Sequence, residues 1–186
     1  MRVLVACEFS GIVRDAFAAR GHDAWSCDLL ATERPSMQHL EVDIRAVPLE
    51  SFELLIAFPP CRYLARSGAR WWPTRQHEQA EAIDFVRFLL AAPVPRIALE
   101  NPRGILASVV RPPDQVVQPW WFGHPEVKAT CLWLKNLPPL QPSALTFELR
   151  TARVHRERPG PDRWRRRART LPGFAAAMAT QWGTLE

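Results

Sequence analysis

Over the first hundred residues, short apolar runs alternate with stretches of helical period, and each run stops on a polar or conformationally special residue. "RVLVAC" (2 to 7) leads to Gly11 and an amphipathic stretch, "IVRDAFAARG", that closes on Gly21 as a helix does. "HDAWSCDLL" gives a second strand ending near Asp28, and "HLEVDIRAV" a third short element ending near Asp43. "FELLIAF" (52 to 58) is nearly continuous in apolar character, as a strand covered on both faces must be. Residues 75 to 92 carry apolar side chains at 80, 83, 86 and 90, a helical spacing that Pro93 and Pro95 end, and "RIALE" (96 to 100) is the next strand. This alternation predicts a doubly wound α/β sheet with parallel strands and right-handed crossovers, in a single domain over residues 1 to 186.

Further on, "DQVVQPWWF" and "ATCLWLK" read as two more strands around "GHPEVK", forming an antiparallel hairpin at the sheet edge. Residues 135 to 186 read as a basic extension packing on the sheet, with "RWRRRAR" preceding a last helix around "PGFAAAMATQW". Residues 1 to 100 hold 11 basic and 13 acidic groups, whereas residues 101 to 186 hold 13 and 6. A basic half suits either contact with phosphates or a solvated arginine-rich surface. The four cysteines are scattered, with no C-x-x-C pair and no histidine at zinc-ligand spacing, so they read as free thiols and no metal site is expected. No stretch is apolar for long enough to span a bilayer and "MRVLVACEFS" does not read as a secretion signal, so a cytoplasmic location is expected.

Ligands of open α/β sheets bind beyond the carboxyl ends of the strands. The residues there are Glu8, Phe9, Ser10 and Gly11, then Asp28, Asp43, Pro59 with Pro60 and Cys61, and Glu100 with Asn101 and Pro102. Pro59 and Pro60 fix φ and remove two backbone donors, which makes a rigid mount for the thiol. Cys61 is either a presented nucleophile, with Arg62, Arg66 and Arg70 as sources of positive charge, or a small buried apolar residue. Glu100 ends an apolar strand and is stopped by Asn-Pro; it either caps a turn or has a chemical task. A thiol after one strand and a carboxyl after the next, on one sheet edge, form a constellation.

With these residues in order, the chain resembles the cytosine-C5 DNA methyltransferases, above all small phage or prophage members. "FPPC" is similar to the family's catalytic Pro-Cys loop, "SGAR" to the Ser-x-x-Gly-x-Arg pattern after it, and "LENP" to the Glu-Asn-Val motif. "FSG" resembles the Phe-x-Gly of the cofactor loop, "SCD" the acidic residue on the ribose, and "VDI" the aspartate that reads adenine. "FGHPEVKATCLWL" (122 to 134) aligns without gaps to the Tyr-Gly-Val-Pro-Gln-x-Arg-x-Arg-Val segment, so the resemblance covers roughly residues 1 to 134. It implies a Rossmann-like, S-adenosylmethionine-dependent sheet. It also implies S-adenosyl-L-methionine held by Glu8, Phe9, Ser10, Gly11, Asp28, Leu29, Asp43, Ile44 and Pro59. Cys61 is implied as nucleophile to carbon 6 of cytosine, Glu100 as donor to the ring, Asn101 as loop brace, and Lys128 and Thr130 as the counterparts of the paired arginines.

Three departures stand out. Val13 and Arg14 replace glycines of the cofactor loop, and Glu126, Lys128 and Thr130 replace the Gln-x-Arg-x-Arg set, whose second arginine contacts the cytosine carbonyl oxygen. The 52 residues after Leu134 leave no room for the family's target-recognition domain, which implies relaxed specificity or a separate recognition subunit. Phosphate contacts are expected from Arg66, Arg70, Arg163, Arg165 and Arg166, and from the Arg150, Arg153, Arg156 and Arg158 series. The pairs Trp71–Trp72 and Trp120–Trp121 suit base stacking or plain packing. Three functions follow: methyl transfer to cytosine in DNA, the same chemistry on a free cytidine nucleotide or RNA, or a non-catalytic module binding cofactor or nucleic acid.

Overall fold

A computed structural model describes residues 1–143, 151–152 and 157–185. Seven strands form one sheet: β1 (Arg2–Ala6), β2 (Asp23–Asp28), β3 (His39–Glu41), β4 (Leu54–Ala57), β5 (Arg96–Pro102), β6 (Gln115–Val117) and β7 (Thr130–Lys135). The helices are α1 (Ile12–Ala18), α2 (Gln76–Leu90), α3 (Leu106–Val109), α4 (Arg163–Ala168) and α5 (Pro172–Trp182). The spatial order is β3-β2-β1-β4-β5-β7-β6. β1 to β5 pair in parallel, whereas β7 runs antiparallel to both β5 and β6. The expected α/β architecture is therefore present, and the antiparallel pair does close one edge, with β7 inside and β6 outermost.

Side chains alternate across the strands and find apolar cover on both sides. Val3, Val5, Leu54 and Ile56 pack with Phe17 of α1 and Met178 and Trp182 of α5. Leu4, Ala6, Leu55 and Ala57 face the opposite way, against Val86 and Leu89 of α2 and Trp133 of β7. Two covered faces explain why these strands read as unbroken apolar runs.

Two sequence expectations are corrected. Only Gln115–Val117 of "DQVVQPWWF" is strand; Pro119 has no N–H for a ladder and starts a 3-10 turn over Pro119–Phe122, closed by Gly123 at φ 84°. "RWRRRAR" does not merely precede a helix, because residues 163 to 168 form α4 themselves. Arg150, Arg153 and Arg156 lie outside the described residues. Among the described residues no helix is long and apolar enough to cross a membrane.

The start of α1 is built by a buried carboxylate. Glu8, 4% exposed, accepts the Val13 N–H at 2.7 Å, the Arg14 N–H at 3.3 Å and the Ser10 hydroxyl at 3.0 Å. It thus serves donors that a helix start leaves without partners. Gly11 precedes the helix at φ 70°, in the left-handed region, and a side chain there would meet Arg14 Nη2. Arg14 is itself buried and ties α1 to Ser26 of β2 (3.1 Å) and to the Arg34 carbonyl (3.1 Å).

Burial raises the Glu8 pKa from 4.5 to about 7 against the pull of these bonds. The folded state therefore holds the Glu8 proton more tightly than the unfolded chain. Its contribution is fully present below pH 4.5 and is lost as pH rises through about 7, amounting to about 3 kcal/mol. Denaturant titrations at pH 5, 6 and 7.5 should show wild-type stability falling across this window relative to Glu8→Gln; parallel curves for the two proteins would contradict it.

Candidate active site

The Cys61 loop follows β4, whereas Glu100, Asn101 and Pro102 lie within the adjacent parallel β5, which stays paired with β7 past the Asn-Pro expected to stop it; the two segments are then fastened together. Asn101, fully buried, donates its amide to the Pro59 carbonyl at 2.9 Å. The Arg66 N–H reaches the Arg103 carbonyl at 2.9 Å and the Ile105 N–H reaches the Leu64 carbonyl at 3.0 Å, around a bridge between Ala65 and Gly104. A Cβ on Gly104 would collide with the Leu64 carbonyl, so only glycine lets the two backbones approach this closely.

These fasteners bring the sulfur and the carboxyl within electrostatic reach. Cys61 is exposed just beyond the carboxyl end of β4. The protein around it and the Glu100 charge push its thiol pKa up, whereas Lys128 and Arg167 pull it down. Glu100 is half-buried and burial likewise raises its pKa, opposed by Lys128 and by a hydrogen bond from the Thr130 hydroxyl. Thr130 stands opposite Pro102 in the β5–β7 register, diagonal to Glu100, which explains that contact. The thiol, the carboxyl, one hydroxyl and two cations thus converge at one edge of the sheet.

Several residues sit differently from expectation. Thr130 is buried and its hydroxyl is committed to Glu100, so it positions the carboxyl instead of offering a substrate contact. Lys128 donates to the Arg167 carbonyl at 3.2 Å. Arg165 lies over the Phe9 ring at 5.5 Å, and Arg163 and Arg166 donate through Nε to the Glu157 carbonyl and carboxylate. Arg66 and Arg70 are exposed, with the Arg70 guanidinium 4.9 Å from the Trp71 ring. Arg158 is also exposed. Trp120 and Trp121 pack edge to face on each other.

At the other end of the crevice, Asp28 accepts the Leu30 N–H at 3.0 Å and burial raises its pKa. Leu29 beside it is 71% exposed, an apolar face next to a carboxylate at a strand tip. Both fit the sugar and the flat base of a nucleoside-bearing cofactor. Glu8, Ser10 and Asp43 fit it less: Glu8 and Ser10 hold α1, and Asp43 accepts the N–H of Arg45 and its guanidinium. Ile44 turns its side chain into the core. Phe9 is covered by Trp164, with ring centroids 5.9 Å apart.

Sequence reasoning missed two residues here. Cys7, the residue just after β1, lies in the left-handed region at φ 58°, close enough to Asp28 and Asp43 for their charges to raise its pKa further than burial alone does. Arg167 was passed over among its neighbouring arginines. A non-glycine left-handed residue leaves no mark in sequence, whereas the run of four basic residues in α4 did mark the segment.

No family model and no curated protein matches the chain. Among solved structures it is similar to the Dnmt2 methyltransferase of S. pombe, with 16% identity and a TM-score of 0.50 over 75% of this chain and 50% of that one. It is also similar to a DNA modification methyltransferase encoded within a prophage of E. coli (16%, 0.47, 72% and 46%). A third likeness is to a Spodoptera frugiperda DNMT2 mutant (15%, 0.48, 81% and 56%). The chain spans about half the length of these structures. At such identities the S. pombe likeness shows the fold alone, a Rossmann-like sheet.

The fastening of the two loops makes a direct prediction. Gly104→Ala must push the Leu64–Ala65 backbone away and carry Cys61 with it. Thermal unfolding should show a loss of about 1–3 kcal/mol from overpacking, and the pH dependence of Cys61 alkylation should move toward that of a free cysteine. An unchanged alkylation profile would contradict the fastening.

Proposed function

We propose that the chain transfers a methyl group from S-adenosylmethionine to carbon 5 of cytosine in DNA, through a covalent adduct on Cys61. The observation that carries this reading is the convergence of the Cys61 thiol, the Glu100 carboxyl and the Lys128 ammonium at one mouth of the sheet. A residue set that only bound cofactor would have no use for a nucleophile facing an acid.

In this mechanism the Cys61 thiolate adds to carbon 6 of the ring, forming the S–C6 bond and moving the electron pair of the C5–C6 double bond to carbon 5. Burial raises the Glu100 pKa, which favours a proton held between its carboxyl and ring N3 as charge develops on the ring. Thr130 holds that carboxyl in place, and Asn101 braces the loop under the thiol. Asp28 and Leu29 would hold the cofactor's adenosine, and the bound cofactor supplies an electrophilic methyl group to carbon 5. A base then removes the carbon-5 proton, the double bond re-forms and the S–C6 bond breaks, returning the thiolate.

Taking a base out of duplex DNA costs a few kcal/mol. Arg66, Arg70 and Trp71, exposed beside the Cys61 loop, suit phosphate contact and stacking against an extruded base.

Incubation with methyl-labelled cofactor should label cytosine-rich DNA, and Cys61→Ser should abolish the label. An oligonucleotide with fluorine at carbon 5 of cytosine has no proton to eliminate, so it should stay bound to wild-type protein through denaturation. Since burial and Glu100 raise the thiol pKa, kcat/KM should climb with pH on the alkaline side of neutral. Label from Cys61→Ser equal to wild type would refute the role of the sulfur. Label on RNA or on a free cytidine nucleotide, but not on DNA, would move the same chemistry to another substrate. Binding without label on any of them would leave a non-catalytic module.

A further inference from the structure

The loop between β2 and β3 begins with Asp28 and Leu29, and a chain of side chains reaches out from the protein interior to hold it. Ser26 and His39 are register partners in the parallel pairing of β2 with β3, so their side chains rise on one face. The Ser26 hydroxyl lies 3.1 Å from Arg14 Nη1 and 2.8 Å from His39 Nδ1. The other ring nitrogen, Nε2, lies 2.9 Å from the Leu30 carbonyl, while the Leu30 N–H reaches Asp28 Oδ1 at 3.0 Å. Both backbone polar groups of Leu30 are thus taken. Farther along the loop, Arg14 also donates to the Thr32 hydroxyl and the Arg34 carbonyl, and the Glu33 N–H reaches the Phe9 carbonyl.

The two ends of the chain fix the direction of every link. A guanidinium only donates, so Ser26 Oγ accepts from Arg14; a carbonyl only accepts, so His39 Nε2 carries the proton that reaches Leu30. The Ser26 hydroxyl then donates to Nδ1, and the ring is one neutral tautomer. Ser26 is fully buried and Arg14 is 2% exposed, so water does not compete at the head of the chain and each bond polarises the next. At its far end the chain holds the backbone beside Leu29, whose side chain stands 71% exposed. An apolar side chain held out in this way, next to a carboxyl, is a surface formed in advance for a flat ring and its sugar.

We propose that His39 is a positioning residue for the cofactor, a role that rests on the cofactor reading in the function proposed above. Through the chain from Arg14 it fixes the Leu30 carbonyl, and so holds the Asp28 carboxyl and the Leu29 side chain where adenosine binds. A rim ordered before binding spares the ligand the entropy of ordering it. His39 stands on β3 at one edge of the sheet, with β2 and β1 between it and the β4–β5 pair that carries Cys61 and Glu100. Its effect therefore falls on cofactor affinity and not on the transfer step.

The test compares the full-length wild type with His39→Leu, His39→Gln, Ser26→Ala, the Ser26→Ala/His39→Leu double variant and, as a control at an exposed histidine of α2, His77→Leu. Calorimetric titration with S-adenosylhomocysteine reads affinity, hydrogen exchange of the Leu30 amide in the free protein reads the hold on the loop, and nitrogen–proton NMR of the His39 ring reads its tautomer. In His39→Leu the Kd should rise about tenfold and Leu30 exchange should quicken, while methyl transfer at saturating cofactor stays within about twofold of wild type. Ser26→Ala should weaken binding in the same way, and the double variant should lose less than the two single losses combined, because both break one chain. His39→Gln keeps a donor and an acceptor and should recover part of the affinity, and His77→Leu should match wild type. Wild-type affinity in His39→Leu, or single losses that add in full, overturns the positioning role and leaves the proposed function standing. A proton found on Nδ1 instead of Nε2 overturns it as well. If His39→Leu does not fold, Ser26→Ala decides, and unchanged affinity with unchanged Leu30 exchange overturns the proposal. A wild type that binds no S-adenosylhomocysteine, even with slow Leu30 exchange, removes the cofactor reading and with it the role of His39.

Discussion

The separation between Cys61 and Glu100 is fixed by backbone, and the rest of the site depends on it. A side-chain amide on Asn101 holds the Pro59 carbonyl, and the Arg66–Arg103 and Ile105–Leu64 bonds hold the segments beyond. Because Asn101 is fully buried, this bond is shielded from water and from competing partners. Two prolines at 59 and 60 stiffen one loop, and the bareness of Gly104 lets the other lie against it. A thiol and a carboxyl held in this way keep their relative places without any rearrangement, as the proposed chemistry requires.

The polar groups at the sheet's carboxyl edge divide into two sets. Glu8, Ser10, Arg14 and Asp43 are taken up by the chain's own backbone and build the start of α1 and the turn after β3. Arg14 ties the segment after β1 to Ser26 and to the Arg34 carbonyl through side-chain bonds. Cys61 and Leu29 are exposed, and Asp28 and Glu100 half-buried, at the carboxyl ends of the strands. α4 bridges the two sets, touching Phe9 on one side and Lys128 on the other.

Much of this was legible in sequence because two-sided burial writes itself as unbroken apolar runs: β1, β4 and β5 follow from "RVLVA", "LLIA" and "RIALE". The pairing of Cys61 with Glu100 followed from topology, since neighbouring parallel strands deliver their carboxyl ends to one edge. What sequence did not reveal was how each polar side chain is used. Glu8 reads like a ligand group at a strand tip, yet its carboxylate faces the N–H groups of α1, because the chain turns into a helix within four residues. Thr130 looks like a weak substitute for an arginine, and only the β5–β7 register shows it aimed at Glu100. The arginines of α4 are alike in sequence, and their separate partners, Glu157, Phe9 and Lys128, come from segments far apart along the chain.

The claim beneath this account is that the sulfur at 61 and the carboxyl at 100 share one crevice and feel each other's charge. Iodoacetamide alkylation of Cys61 against pH, in wild type and in Glu100→Gln, measures that coupling without any substrate. Removing the neighbouring negative charge should shift the Cys61 profile to lower pH and speed alkylation near neutrality. Superimposable profiles would place the two groups apart and contradict the account.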